Sequence, residues 1–330
     1  ISSVGRAPAL HAGGQEFESP ILHKYLKTAM SANTLGADIN EIHLTYLLNN
    51  NSYPDLITSR QFEKRSKSVS DQVVEWQVGR AEAMYAKFLR FLSTNKYGTP
   101  VAAYWTARPG FKFEDVVGFK VNQRLNPTDV LVRLNTGKFY GISAKSTKSG
   151  GAGLKNPGIG TIDRYLGTDL KSIDVKYSNI IIEKYDLPKG KDQRKQFLNS
   201  NPGIKKKVYD NYSSKALNEL RNSYLVRINQ MSQQQIIDFL VTEWLNEDPE
   251  ILKLPYVKIT GSGTKIYTAS LYDPITNSKS RYLIKGPISF SPVGNDAVGV
   301  TAANQRILKM RFKYASTQLA SSLKMSGDPW

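Results

Sequence analysis

Residues 126–145 read NPTDVLVRLNTGKFYGISAK, and this short stretch decides the fold that we predict for the chain. The segment from Asp129 to Leu134 has the two-residue period of a β-strand: one face carries Val130, Val132 and Leu134, and the other carries Asp129, Leu131 and Arg133. A second such run begins at Phe139. Between the runs, the Asn-Thr-Gly segment at 135–137 suits a three-residue loop whose glycine adopts the left-handed conformation. The stretch therefore predicts a β-hairpin.

The register of this hairpin decides which side chains meet. If Leu134 pairs with Lys138 across the loop, Asp129 lies opposite Ser143, and Lys145 lies one diagonal away on the same face. Diagonal neighbours are roughly 7–8 Å apart, a gap that a lysine side chain spans. A slip of one residue would turn the lysine to the opposite face. We therefore expect a carboxylate, a hydroxyl and an ammonium group together at one end of the hairpin.

This pattern resembles the PD-(D/E)xK nuclease superfamily, which carries an Asp, then an acidic residue, any residue and a Lys on a β-hairpin. Pro127, Asp129 and Lys145 match, with Thr128 inserted between the first two, and Ser143 stands where the family usually has Glu or Asp. The resemblance covers only this hairpin. It implies an α/β fold with a restriction-endonuclease-like core, in which helices flank a central mixed β-sheet.

The resemblance also implies a nuclease site that uses Mg²⁺ (or Mn²⁺). Asp129 would hold the metal, the backbone carbonyl of Ala144 would complete an inner contact, and Lys145 would orient or deprotonate the attacking water. Many members carry a further Glu on the first core helix, and Glu41 is the residue predicted for that position. Ser143 would contribute only a hydroxyl, so we expect one tightly held metal ion.

Two helices are predicted before the hairpin. The first runs from about residue 36 to 50 along an apolar stripe, with Glu41 at the edge of that stripe. The second begins after Ser70, a suitable N-cap, and carries Glu82, the alternative for the helix carboxylate. Further strands are predicted at 101–106, 116–121, 256–260, 265–272, 280–285 and 305–314.

The composition excludes several kinds of chemistry. The chain has no cysteine, so thiol catalysis, disulfides and Cys-based zinc sites are excluded. It has three histidines, His11, His23 and His43, and a two-histidine metal site is not expected. Carboxylates, lysines and hydroxyls remain, and with a divalent metal these groups suit phosphodiester hydrolysis.

The charge of the chain indicates a polyanionic partner. Lys and Arg total 45 against 28 Asp and Glu, a net charge of +17. Such a protein gains affinity for double-stranded DNA from each phosphate that it neutralises. No apolar run approaches the ~20 residues of a membrane-spanning helix, and no signal peptide or lipidation motif is recognisable. We therefore expect a cytoplasmic DNA-binding protein with no membrane partner. The sequence leaves open whether it forms a homodimer.

Basic residues cluster at three places, although charge runs are also common on solvated surfaces. The places are a glycine-rich loop after the hairpin, a helical middle segment, and a late strand whose alternation puts three cations on one face. The residues predicted to contact DNA are Lys148, Lys155, Lys205, Lys206, Lys207, Lys309, Arg311 and Lys313.

Three segments are predicted along the chain. Residues 1–29 read like a translated transfer-RNA gene, so we expect the native start at Met30 and no fixed fold before it. Residues 30–260 would form the nuclease-like core with helical insertions, and residues 261–330 a β-rich region that contacts DNA. A reading frame beside a transfer-RNA gene suits a phage or mobile element.

The sequence leaves three functions open. The first is a Mg²⁺-dependent DNA endonuclease, homing or restriction-like in role. The second is a non-catalytic nucleic-acid-binding protein with a degenerate nuclease fold, which has lost the acidic residue at position 143. The third is a viral assembly protein, for which discrete large oligomers would be the sign.

Overall fold

The computed structural model describes residues 32–122, 126–147, 154–248, 252–314 and 323–330. The predicted leader, residues 1–29, and Lys148 lie outside the described residues. Over the described ranges the fold is α/β, as predicted. Helices flank a mixed sheet of five strands, and a separate antiparallel sheet of four strands follows towards the C-terminus. None of the helices in these ranges is long and apolar enough to cross a membrane.

The first sheet has the order β1-β2-β3-β4-β5, and β3–β4 is its parallel pair. Its strands are β1 (Pro100–Trp105), β2 (Val130–Leu134), β3 (Phe139–Ser146), β4 (Tyr256–Ser262) and β5 (Thr268–Tyr272). The helices before β2 are α1 (Ala32–Leu48), α2 (Leu56–Ser66), α3 (Asp71–Thr94) and α4 (Phe113–Val117).

The chain between β3 and β4 is helical. Its α-helices are α5 (Ile159–Leu166), α6 (Leu170–Lys184), α7 (Lys191–Ser200), α8 (Pro202–Val208), α9 (Ser214–Ile228) and α10 (Gln233–Phe239). Two π-helical turns, Tyr209–Ser213 and Leu240–Leu245, continue α8 and α10. After β5 come α11 (Ser280–Lys285) and the strands β6 (Ile288–Val293), β7 (Ala297–Ala302), β8 (Gln305–Tyr314) and β9 (Leu323–Pro329).

The hairpin of β2 and β3 has the predicted register. Val130 pairs with Ile142, and the loop closes with a hydrogen bond from the Gly137 amide to the Leu134 carbonyl at 2.9 Å. Gly137 has a φ of 78°, the left-handed conformation that the sequence predicts there. Asp129, the residue before β2, therefore sits at the end of the hairpin away from the loop.

The parallel pairing of β3 with β4 brings a distant part of the chain beside the hairpin. In this pairing Ser143 lies next to Lys258, and Lys145 lies next to Thr260. β4 runs to Ser262 and then pairs with β5. The first sheet thus extends beyond residue 260, where the sequence places the end of the nuclease-like core.

Each sheet has its own hydrophobic core. α1 and α3 cover one face of the first sheet, and their buried residues include Leu44, Met84 and Phe88. Leu131 points to the other face, among Phe111, Phe113 and Leu254, so β2 is buried on both sides. In the second core, residues of α5–α10 pack with the strands of the second sheet, and the Tyr224 hydroxyl contacts Met310 Sδ at 3.1 Å.

Two of the predicted strands are wrong. Residues 280–285 form α11, because the Glu247 carboxylate accepts hydrogen bonds from the amides of Lys279 and Ser280 at 2.9 and 3.0 Å and satisfies the start of the helix. The predicted strand at 116–121 overlaps the end of α4, which Gly118 closes with a φ of 79°. Both segments are short, and alternation over a few residues does not separate a strand from a helical turn.

Gly141→Ala tests how closely β3 approaches its neighbours. A Cβ at position 141 would clash with Thr128 Oγ1 and lie 3.0 Å from Tyr256 Cβ. We expect a loss of about 1–3 kcal/mol in the free energy of unfolding, as for other overpacked cores. The measurement is urea denaturation. Gly203→Ala is the control, because nothing lies within 4 Å of a Cβ at that helical position. Equal midpoints for both variants would contradict this packing.

Candidate functional site

The ends of β2, β3 and β4 border a cleft of about 480 Å³. Asp129, Ser143, Lys145 and Lys258 line it from the first sheet. The opposite wall comes from residues 154–156 and 245–246, which belong to the helical segment between β3 and β4. The cleft therefore lies between the two cores, and its floor is the end of the predicted hairpin.

An ion pair joins Asp129 to Lys145. The Lys145 Nζ lies 2.8 Å from Asp129 Oδ2, and Ser143 Oγ lies 3.4 Å from the same oxygen. Backbone hydrogen bonds fix the position of Asp129: its amide donates to the Ile142 carbonyl at 2.8 Å, and its carbonyl accepts from the Thr106 amide at 3.0 Å. The structure thus brings together the three side chains that the hairpin register places on one face.

Glu41 lies near this group without lining the cleft. Its side chain is buried on α1, and Oε2 accepts a hydrogen bond from Trp105 Nε1 at 3.0 Å. Burial raises the pKa of Glu41 to about 8, and the negative charge of Asp129 adds to the rise, which Trp105 and Lys145 oppose. Glu82, the alternative carboxylate, is exposed on α3. Of these two, Glu41 is the one for which the structure gives an interaction with Asp129.

Arg65 and Asp38 support the side chain of Trp105, the hydrogen-bond donor to Glu41. The guanidinium of Arg65 lies 5.0 Å from the centre of the Trp105 ring, and Arg65 Nε donates to Asp38 Oδ2 at 2.5 Å. Trp105 is itself almost fully buried. The Trp105 donor therefore has a fixed direction, and it orients the Glu41 carboxylate.

Lys258 is the site residue that the sequence analysis missed. Burial lowers its pKa to about 8, and the positive charge of Lys145 lowers it further, whereas Asp129 and Asp328 oppose the change. Its Nζ donates to the Leu154 carbonyl at 2.6 Å. The strand predicted at 256–260 contained this lysine, but only the parallel pairing with β3 shows that it lies beside Ser143.

The residues predicted to contact DNA lie in separate places. Lys155 lines the cleft, where its Nζ donates to the Thr242 carbonyl at 2.9 Å and lies 3.6 Å from Glu243 Oε2. Lys205, Lys206 and Lys207 lie on α8, outside the cleft lining. On β8 the predicted alternation is present: Met310, Phe312 and Tyr314 are buried, and the residue before each of them, Lys309, Arg311 or Lys313, is partly or fully exposed.

The oxygen donors near Asp129 fit a hard divalent cation. Asp129 and Glu41 supply carboxylates, Ala144 can supply a backbone carbonyl, and Mg²⁺ prefers oxygen ligands. Burial is the main cause of the raised pKa of Glu41 and the charge of Asp129 the second, and a cation bound between the two carboxylates would lower that pKa. Over the described ranges, no three His, Cys, Asp or Glu side chains group closely enough to hold a metal. A metal ion here would therefore need water or substrate oxygens as well.

No protein-family model, curated protein or solved structure matches this chain. Its function has to be inferred from the fold, the cleft and the charges around it.

Glu41→Gln tests the burial of this carboxylate. The folded protein keeps a proton on Glu41 up to about pH 8, whereas a carboxyl with the ordinary pKa of 4.5 loses it much earlier. The unfolded chain therefore binds fewer protons between these pH values. The stability of the metal-free protein should fall as pH rises through this window, by up to about 1.4 kcal/mol per pH unit.

Urea denaturation at pH 5, 6, 7 and 8 measures this slope. Glu41→Gln should remove most of it, because the amide does not titrate. Glu82→Gln is the control, since the exposed Glu82 should leave the slope as it is. The same slope in Glu41→Gln and in the unchanged protein would show that Glu41 ionises normally.

Proposed function

We propose that this chain is a Mg²⁺-dependent (or Mn²⁺-dependent) endonuclease that hydrolyses phosphodiester bonds in double-stranded DNA. The observation that carries the proposal is the pairing of Asp129 with Lys145 at 2.8 Å, beside Ser143, in a cleft between two cores. The resemblance of this hairpin to the PD-(D/E)xK nucleases supports the same conclusion. A phage or mobile-element enzyme, homing or restriction-like in role, acting in the cytoplasm of its host, agrees with the sequence.

Each side chain has a distinct role in this proposal. Asp129 and Glu41 would hold the metal with the Ala144 carbonyl, and a bound metal would lower the pKa of a water molecule and polarise the phosphate. Lys145 would position the attacking water and offset the charge that develops on the phosphate oxygens. Ser143 contributes a hydroxyl beside Asp129. Trp105 keeps Glu41 in a fixed orientation.

The charge distribution supports DNA as the substrate. The net charge of +17 favours binding to a polyanion in general. The row of Lys309, Arg311 and Lys313 on β8 provides one surface that could follow a phosphate backbone. Each chain would carry one such site, so cutting both strands would require two chains or two successive nicks. A homodimer is therefore part of the proposal.

One observation favours the alternative of a non-catalytic nucleic-acid-binding protein. Ser143 is fully buried and neutral at the position where the resembling family has its second acidic residue. Nicking of supercoiled plasmid DNA in the presence of Mg²⁺ separates the two proposals. Binding without any nicking at several metal concentrations would favour the alternative.

Asp129→Asn and Lys145→Ala test the site directly. The first removes the charge that would hold the metal, and the second removes the cation that would position water. Each should lower the nicking rate by about 10²–10⁴-fold, the usual contribution of positioned acid–base groups. Duplex binding should be retained, because most of the affinity would come from the wider basic surface. Lys138→Ala is the control, since Lys138 is exposed at the loop end of the same hairpin.

Ser143→Glu asks whether the missing carboxylate limits metal binding. In the observed register it would place an acid beside Asp129 and Lys258. We expect half-maximal nicking at a lower Mg²⁺ concentration, measured after thermal melting has shown that the variant folds. If metal dependence is unchanged while Asp129→Asn and Lys145→Ala remain active, this hairpin is not the catalytic centre.

Replacing Lys309, Arg311 and Lys313 by Gln tests the basic row on β8. Binding should weaken alike for all duplex sequences, because contacts to phosphates carry no base information. The slope of log affinity against log salt concentration should fall by about 0.9 for each phosphate that the variant no longer neutralises. Lys205, Lys206 and Lys207 replaced by Gln give the comparison for a second cluster. An unchanged slope would mean that the β8 row is only solvated surface.

A further inference from the structure

Lys258 is a half-buried cation that lines the cleft. Its Nζ donates to the Leu154 carbonyl at 2.6 Å. None of the ion pairs found within the described residues includes it. Lys145, two residues along β3 from Ser143, adds a positive charge that disfavours the charged form of Lys258. Partial withdrawal of an ammonium group from water costs free energy, and a bound anion would offset that cost.

Asn126 adds an unsatisfied donor to the same cleft. Its Oδ1 accepts a hydrogen bond from the Thr128 amide at 3.0 Å, which fixes the orientation of the side-chain amide. The Nδ2 group is then the donor, and it is buried without a hydrogen-bond partner in the described part of the chain. Both Asn126 and Lys258 line the cleft.

The other lysines of the cleft are already compensated. Lys155 lies near Glu243 and donates to a backbone carbonyl, and Lys145 shares its charge with Asp129. Among the three lysines that line the described cleft, Lys258 is therefore the one without an ion pair. Ammonium and amide N–H groups together are typical donors for phosphate oxygens.

We propose that Lys258 and Asn126 form a binding site for a phosphate group of a nucleic-acid backbone, next to the Asp129–Lys145 pair. Lys258 would bind a non-bridging oxygen as a point charge, and Asn126 Nδ2 would donate to a second oxygen. The choice of a phosphodiester rests on the proposed nuclease function. The anion site itself needs no hydrolysis, so it can be tested separately.

Thymidine 3′,5′-bisphosphate is a suitable probe, because it carries two phosphate groups and has no phosphodiester bond to hydrolyse. Titration calorimetry without metal should show saturable one-to-one binding to the full chain. Lys258→Met should weaken this binding by about 10–100-fold, the contribution of a hydrogen bond to a charged group. Lys258→Arg should retain most of the affinity. Asn126→Asp keeps the acceptor for Thr128 and replaces the donor by a charge, so it should also weaken binding.

Lys138→Met is the matched control, an exposed lysine on the same hairpin, and it should leave the affinity unchanged. Circular dichroism melts establish that each variant folds. Failure of the unchanged protein to bind the probe, or equal affinity in Lys258→Met, would overturn the inference. Probe binding through Lys258 without plasmid nicking would keep the anion site and remove the nuclease proposal. If the unchanged protein nicks plasmid DNA but Lys258→Met binds the probe as tightly, the nuclease proposal is kept and the anion site is lost.

Discussion

Backbone hydrogen bonds between β3 and β4 place Ser143 beside Lys258 and Lys145 beside Thr260. Parallel strands require a long crossover, because the chain must return to the same end of the sheet. Here the crossover contains α5–α10, whose apolar residues form the second core together with β6–β9. The cleft lies between the end of β3 and residues 154–156 and 245–246 of this crossover. The parallel pair thus determines both the location of the site and the identity of its opposite wall.

Burial brings the pKa of the acid Glu41 and the pKa of the base Lys258 towards the same value. The pKa of Glu41 rises to about 8 and that of Lys258 falls to about 8, in both cases mainly because water is excluded. Charged neighbours reinforce both shifts, Asp129 for the acid and Lys145 for the base. The charges of Lys258, which lines the cleft, and of Glu41, which lies near it, are therefore sensitive near neutral pH to a bound ion. A cation would favour ionised Glu41, and a phosphate would favour protonated Lys258.

Local sequence patterns determined the hairpin, the long helix α3 and the helix that starts at Ser232. The Gly137 turn, the alternation along β2 and the hydrogen bond between the Ser232 hydroxyl and the Gln235 amide all depend on residues a few positions apart. Such signals can be read from a single chain because neighbouring residues are forced to meet. The grouping of Asp129, Ser143 and Lys145 followed from the same short-range geometry.

Tertiary structure decided the features that depend on distant segments. The role of Lys258 comes from a pairing across more than a hundred residues, and the Trp105–Glu41 contact joins a strand to a helix. Residues 280–285 form a helix because Glu247 caps it, although their own pattern suits a strand. The sequence by itself determined the hairpin with its three polar groups. The sequence also named Glu41, with Glu82 as the alternative, but the fold decided its burial, the second lysine and the cleft, since only packing determines which distant charges lose their water together.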